Sequence, residues 1–120
     1  CTPSTRPLLE AGWIRPGTHI TAVGSDTAAK QELDPGILAR ADRVVVDSLA
    51  QSELRGEVYR AVEAGALGRG RLVELGRLVG DETLRRASDG EITVADLTGV
   101  AVQDIQIAKA VWLAVRPSAG

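Results

Sequence analysis

The chain has 120 residues, 44% of them apolar and 25% charged, with a formal net charge of −2. That is the size and balance of one globular domain, and it excludes a disordered chain, which needs low hydrophobicity and high net charge. No cluster of Lys and Arg is longer than two residues, so a basic nucleic-acid-binding face is not expected, and no apolar run approaches a membrane span.

No basic segment followed by an apolar one opens the sequence, so no signal peptide is expected. Cys1 is the single cysteine, and a lone thiol fits a reducing, cytoplasmic setting. There is no Met and no complete Gly-x-Gly-x-x-Gly, since Gly68-Arg69-Gly70-Arg71-Leu72-Val73 stops short of it. The chain therefore reads as a piece of a longer protein that begins in mid-fold.

Residues 1–17 read as a loop carrying one short helix near 6–12, with Pro7 in its first turn. Thr, Ile and Val predict a first strand over 18–23, which must turn at Gly24-Ser25-Asp26. Asp34 and Pro35 are suited to open a helix running to about Ala41, as N-cap and first helical residue. A second strand covers 43–48, and its continuous apolar run suits a parallel strand. One helix is then expected from about Ala50 to Ala64, stopped by Gly65, and another over 72–79. Ile92, Thr93 and Val94 form a short third strand. The last helix, over about 100–115, is apolar nearly all round and must be buried in a core or against another chain. Strands alternating with helices imply an α/β fold, a partial Rossmann-like, mostly parallel sheet with flanking helices.

Open α/β sheets bind ligands beyond the carboxyl ends of their strands, which selects 24–26, Asp47 with Ser48, and 95–98. Gly24 permits close backbone approach. Asp26 either exchanges a proton or caps a turn beginning at Thr27. Lys30 either reaches a phosphate, pairs with Asp26 or is a solvated lysine. Asp47 and Ser48 suit a turn or cap, and His19, inside a strand and without ligand partners, suits a structural role. The acidic groups around Asp81 and Asp89 suit turns and solvated faces.

Several stretches taken together resemble the ornithine cyclodeaminase/mu-crystallin family. They are Thr18-His19-Ile20-Thr21-Ala22-Val23-Gly24-Ser25-Asp26, Lys30-Gln31-Glu32-Leu33-Asp34, Val44-Val45-Val46-Asp47, Gly56-Glu57, Glu74-Leu75-Gly76, Ser88-Asp89-Gly90-Glu91-Ile92-Thr93-Val94 and Gly99-Val100-Ala101-Val102-Gln103-Asp104, in order and at the right spacing. The resemblance implies that residues 1–99 are the second half of an NAD(P)-binding Rossmann domain, and that 100–120 lead toward a dimerisation domain. The glycine fingerprint, and the Lys and Arg that hold a substrate carboxylate, would lie upstream.

Residue by residue, Asp26 matches the family's acid/base Asp. Thr2 matches a cofactor-contacting Thr, Val23, Gly24 and Ser25 match backbone along the nicotinamide, and Lys30 matches a lysine near the cofactor. Leu97 stands where cyclodeaminases often carry Ser, and Thr98 beside it keeps a hydroxyl and is taken as the cofactor-binding residue of this stretch. The implied reaction is hydride transfer between NAD or NADP and the α-carbon of a small amino acid or cyclic imino acid. Ammonia is released in a cyclodeaminase; an imine reductase or alanine-type dehydrogenase shares the hydride step. A homodimer is implied, with no nucleic-acid or membrane partner. The alternatives are a non-catalytic, nucleotide-binding mu-crystallin-like protein and an inactive fragment of the enzyme.

Overall fold

The computed structural model describes residues 1–116. Four parallel strands form the main sheet: β2 (His19–Ala22), β4 (Arg43–Val46), β5 (Leu72–Glu74) and β6 (Thr93–Asp96), in the order β2-β6-β4-β5. A separate parallel pair joins β1 (Thr5–Leu9) to β3 (Gln31–Leu33). The helices are α1 (Pro35–Arg40), α2 (Leu49–Ser52), α3 (Gly56–Glu63), α4 (Leu75–Gly80) and α5 (Ala101–Val115). The α/β fold with a parallel sheet and flanking helices is as the sequence implied.

The three expected strands and the opening of α1 are present. Asp34 accepts from the Gly36 amide at 2.8 Å, with Pro35 in the first turn. Ile37 and Leu38 of α1 and Val58 and Ala61 of α3 pack on Val44, Val46 and Val94, forming the core on one face of the sheet. The other face bounds an open groove lined by His19, Arg43, Thr93, Ala95 and the α4 residues Leu75 and Leu78. His19 is structural, as expected: its ring nitrogens bond the Thr93 and Thr21 hydroxyls at 2.7 and 3.0 Å. The loop before β6 is a turn, as its composition suggested, and Arg86 gathers it by donating to the carbonyls of Gly17, Asp89 and Glu91.

Three expectations are corrected. The helix near 6–12 is instead strand β1 followed by a short 3₁₀ turn, Ala11–Trp13. Pro7 is tolerated because, among the described residues, β1 pairs only with β3, and a strand with one free side can leave a missing N–H there. The segment 72–79 divides: Leu72, Val73 and Glu74 pair with Val44, Val45 and Val46, and only the remainder is helical. Sheet pairing overrides helical spacing where an edge of β4 would otherwise lie open.

The third correction matters most for the site. The single helix expected over 50–64 is broken into α2 and α3. Between them Arg55 is extended, at φ −164°, and Gly56 has φ +96°. A Cβ at Gly56 would stand 2.5 Å from the Asp96 Oδ2 atom. Thus the break sets the Gly56 backbone against a strand-end carboxylate, with no room for a side chain. Gly65, at φ +69°, does stop α3 as expected; its amide donates to the Val62 carbonyl at 2.9 Å.

The last helix is present as α5 but is exposed along its length, Trp112 at 59%. It is not in this chain's core. The end of the expected 100–120 segment, 117–120, lies outside the described residues.

Two of the positive-φ glycines, Gly56 and Gly65, should respond differently. Gly65→Ala, with open space around it, should cost about 1 kcal/mol through backbone strain alone. Gly56→Ala should cost about 3 kcal/mol, because strain and the clash with Asp96 act together. Urea unfolding of both variants measures this; equal losses would remove the clash from the account.

Candidate functional site at the strand ends

The register brings the carboxyl ends of the main sheet into line. Ala22 and Val46 both lie opposite Asp96, and Glu74 lies opposite Val46. The Leu97 amide donates to the Ala22 carbonyl at 2.9 Å, so the segments leaving β2 and β6 start side by side.

Val23 leaves β2 with its side chain 45% exposed, an apolar surface at the ligand edge. Gly24 lies under the Glu32 carboxylate, leaving no room for a side chain. That carboxylate is itself held by the Thr2 amide at 2.6 Å, which brings Thr2 to the same end of β2. The Thr2 hydroxyl accepts from the Ser4 amide at 3.2 Å. Ser25 is buried, and its hydroxyl donates to the Lys30 carbonyl at 2.8 Å. This bond closes the loop 25–30 and sets the Lys30 side chain back over Asp26. The Lys30 Nζ and Asp26 Oδ1 atoms are 2.6 Å apart, with the Asp26 side chain 54% exposed. Of the alternatives open in the sequence, Lys30 takes the ion pair with Asp26. The hydrogen bond and charge of Lys30 hold the Asp26 carboxyl below its ordinary range.

Asp96, at the end of β6, behaves oppositely. Its side chain belongs to a residue only 1% exposed, and Oδ2 accepts from the Val58 amide at 2.8 Å. Burial pushes its pKa up to about 7, against the opposing pull of the Val58 and Glu57 amides. Glu57, equally buried, accepts from the Glu32 and Leu33 amides at 2.7 and 3.1 Å, tying α3 to β3. Burial raises its pKa as well.

Thr98 lies on the same edge, but its hydroxyl faces inward, 3.3 Å from Asp47 Oδ1 and 3.4 Å from Gln51 Oε1. Asp47 Oδ2 accepts from the Gly99 amide at 2.7 Å, where the chain turns with φ +81°. Arg55 donates to the Gly99 carbonyl at 3.3 Å and also to Gln51 Oε1. Ser48 caps α2, as expected of it.

Thr2, Val23, Gly24, Ser25, Asp26 and Lys30 thus gather at the end of β2, and Thr98 stands at the adjacent end of β6. Asp96, Glu57, Asp47 and Arg55 were not singled out as site residues from sequence. The strand-end rule covered Asp96 and Asp47, and Gly56-Glu57 was already one of the family-like stretches. Apart from Gln51, four residues before Arg55, their partners are far along the chain, and no local spacing reveals them.

The ornithine cyclodeaminase/mu-crystallin family model matches residues 1–117. The chain belongs to this family. It is 43% identical over 116 residues to an alanine dehydrogenase of Archaeoglobus fulgidus, covering 92% of this chain and 34% of that protein. It is 45% identical over 111 residues to an iminosuccinate reductase of Paracoccus denitrificans, covering 92% and 34%.

Among solved structures, an archaeal alanine dehydrogenase dimer with bound NAD superimposes with a TM-score of 0.85 at 43% identity, over 92% of this chain and 35% of that one. A Thermococcus litoralis Δ1-pyrroline-2-carboxylate reductase, in complex with NADH and L-proline, superimposes with a TM-score of 0.81 at 29% identity, over 90% and 34%. The chain spans about a third of the length of these relatives. The described part of this family member is therefore Rossmann-like, with the strand ends forming the edge described above.

The buried carboxylate gives a measurable linkage. With its folded pKa near 7 against an ordinary 3.8, Asp96 holds a proton more tightly folded than unfolded. Its contribution to stability is full below about pH 4 and is lost as pH rises through 7. The span corresponds to a loss on the order of 4 kcal/mol. Asp96→Asn keeps an oxygen for the Val58 amide and should flatten the pH dependence of unfolding between pH 4 and 7. An unchanged slope in that variant would assign the linkage to another group; Glu57 acts in the same direction.

Proposed function

We propose that the protein containing this chain is an NAD(P)-dependent oxidoreductase of amino or imino acids, and that this chain supplies one wall of its active site. The observation that carries the reading is the exposed, ion-paired Asp26 at the carboxyl end of β2, beside the exposed Val23. The similarity to an NAD-bound alanine dehydrogenase and an NADH-bound pyrroline-carboxylate reductase supports it.

The residues present fit a nicotinamide. Val23 offers an exposed apolar surface for a planar ring, next to the Gly24 backbone, whose Cα packs under the Glu32 carboxylate. Thr2 and the segment 23–25 would line it, with Thr98 supporting the adjoining turn. When bound, the cofactor supplies or accepts the hydride at the substrate α-carbon.

Asp26 works at the nitrogen. Held as a carboxylate by Lys30, it accepts a proton from a substrate ammonium or from an attacking water, and returns one when the imine is reduced. In that direction the carbon gains two electrons as hydride and the nitrogen gains one proton. Lys30 keeps the acceptor ionised and aimed, and the Ser25 hydroxyl fixes the loop that aims Lys30. Release of ammonia, in the manner of a cyclodeaminase, uses the same two steps with an internal amine trapping the imine; Leu97 supplies no hydroxyl to that variant. We infer a cytoplasmic homodimer, for which the single exposed thiol of Cys1 and the exposed apolar α5 are the supporting features.

The reading is tested with the protein at its natural length, by titrating NAD and NADP calorimetrically and following NADH oxidation with 2-oxo acids and ammonium. Micromolar cofactor binding with turnover is expected. Binding without turnover would select the mu-crystallin-like alternative, and no binding would defeat the cofactor assignment.

Asp26→Asn should lower kcat by about 10²-fold or more while leaving the cofactor KM within a factor of about two. Lys30→Met removes the group that depresses the Asp26 pKa, so the acid limb of the pH–rate profile should move to higher pH. A limb that stays in place would take Asp26 or its pairing out of the rate-determining protonation.

A further inference from the structure

Arg55 is the basic residue at the strand-end edge that the reading above leaves without a task. It stands in the break between α2 and α3, where Gly56 packs against Asp96. Both of its hydrogen bonds run from Nη2, one to the Gln51 side chain and one to the Gly99 carbonyl. Both acceptors are uncharged. Among the described residues Arg55 makes no ion pair, unlike Lys30, Arg43, Arg69 and Arg85. A guanidinium carries five N–H donors in a rigid fork. The bonds at Nη2 anchor it, and among the described residues the Nε and Nη1 donors have no protein acceptor.

The surroundings fix where those donors stand. Arg60, on the turn of α3 that follows, donates to the Ala29 carbonyl at 2.8 Å. Glu57 binds the amides of Glu32 and Leu33. The start of α3 is therefore moored beside the loop 25–30 that carries Asp26, while Arg55 itself touches the turn at Gly99. Gly99 follows directly on the segment leaving β6, so this contact places the guanidinium on the strand-end edge. A tethered cation with a free bidentate face, on the edge where a substrate nitrogen would meet Asp26, matches a planar anion in geometry and charge.

We propose that Arg55 binds a second carboxylate of the substrate, so that the site is built for acidic amino or imino acids. This rests on the oxidoreductase reading of the strand-end edge. The α-carboxylate is left to other groups, and Arg55 takes the side-chain carboxylate, setting which 2-oxo or imino acid is accepted. A cofactor phosphate carries similar anionic chemistry, and the experiment separates the two.

The natural-length protein is assayed for NADH-dependent reductive amination of oxaloacetate, 2-oxoglutarate and pyruvate with ammonium, as wild type, Arg55→Gln and Arg55→Lys. In the wild type, kcat/KM should be at least tenfold higher for one of the two dicarboxylates than for pyruvate. Arg55→Gln should raise the KM for that dicarboxylate tenfold or more, leaving the KM values for pyruvate and NADH within twofold. Arg55→Lys should recover part of the loss, since charge survives and the fork does not.

An equal rise for all substrates would reduce Arg55 to a support of the turn at Gly99. A rise confined to NADH would assign the anion to the cofactor, and no change would remove Arg55 from binding. Each of these overturns the proposal. Wild-type protein that turns over pyruvate without preference overturns it while leaving the oxidoreductase reading intact. Wild-type protein inactive on all three substrates counts against both. Urea unfolding of each variant separates a folding defect from a binding one, and Arg55→Lys serves as the test if Arg55→Gln fails to fold.

Discussion

The Asp96 carboxylate stands at the end of the strand flanked by β2 and β4, and it accepts from the Val58 amide in the first turn of α3. This contact joins the sheet to the helix that covers it. It also fixes what lies between them. Oδ2 packs beside Gly56 and leaves no room for a side chain there, at the break where Gly56 has positive φ and Arg55 is extended. A side chain that would lie on the surface of a continuous helix is thereby delivered to the strand-end edge. The cost is a carboxyl group held out of water, offset by backbone amides and by keeping its proton to near neutral pH.

The same device recurs across the chain. Glu57 binds two amides of β3, Asp34 caps α1, Asp42 accepts from the Ile92 amide at 2.8 Å, and Asp47 accepts from the Gly99 amide. Acidic side chains here serve backbone N–H groups more often than they serve cations. A parallel sheet explains the need. Its strand ends and helix starts converge on one edge, where amides point outward without partners. A carboxylate satisfies such donors strongly because the bond is charge-assisted. Most of these acids connect elements distant in sequence, so they act as cross-links between the layers.

What was legible in the sequence was local or was carried by order along the chain. The β-branched run Val44-Val45-Val46 and the Asp34-Pro35 helix start announce themselves, because their physics is contained within a few residues. Strand β1 did not, because Pro7 reads as a breaker until the chain places it on an edge. The helix break did not either, since Leu54, Val58 and Val62 keep helical spacing straight across it; Asp96, against which Gly56 packs there, lies far down the chain. Colinear resemblance singled out Asp26 as the acid/base candidate, where spacing alone left cap and catalyst both open. It left Arg55 unmarked, because nothing local to Arg55 separates it from an ordinary surface arginine.

Asp26 and Asp96 end neighbouring strands of one sheet, yet their environments drive their proton affinities apart. Asp26 is in water beside an ammonium, and Asp96 is buried between amides and other acids. Proton affinity near neutrality is the property expected of a general acid, and on that ground alone Asp96 would be the better catalyst. Access decides otherwise. A residue 1% exposed, with an oxygen committed to Val58, has no path to a substrate atom, whereas Asp26 is open to one. The raised pKa of Asp96 is therefore a consequence of its structural work. Asp26, the weaker base of the two, is the one whose carboxylate stands in solvent at the strand-end edge.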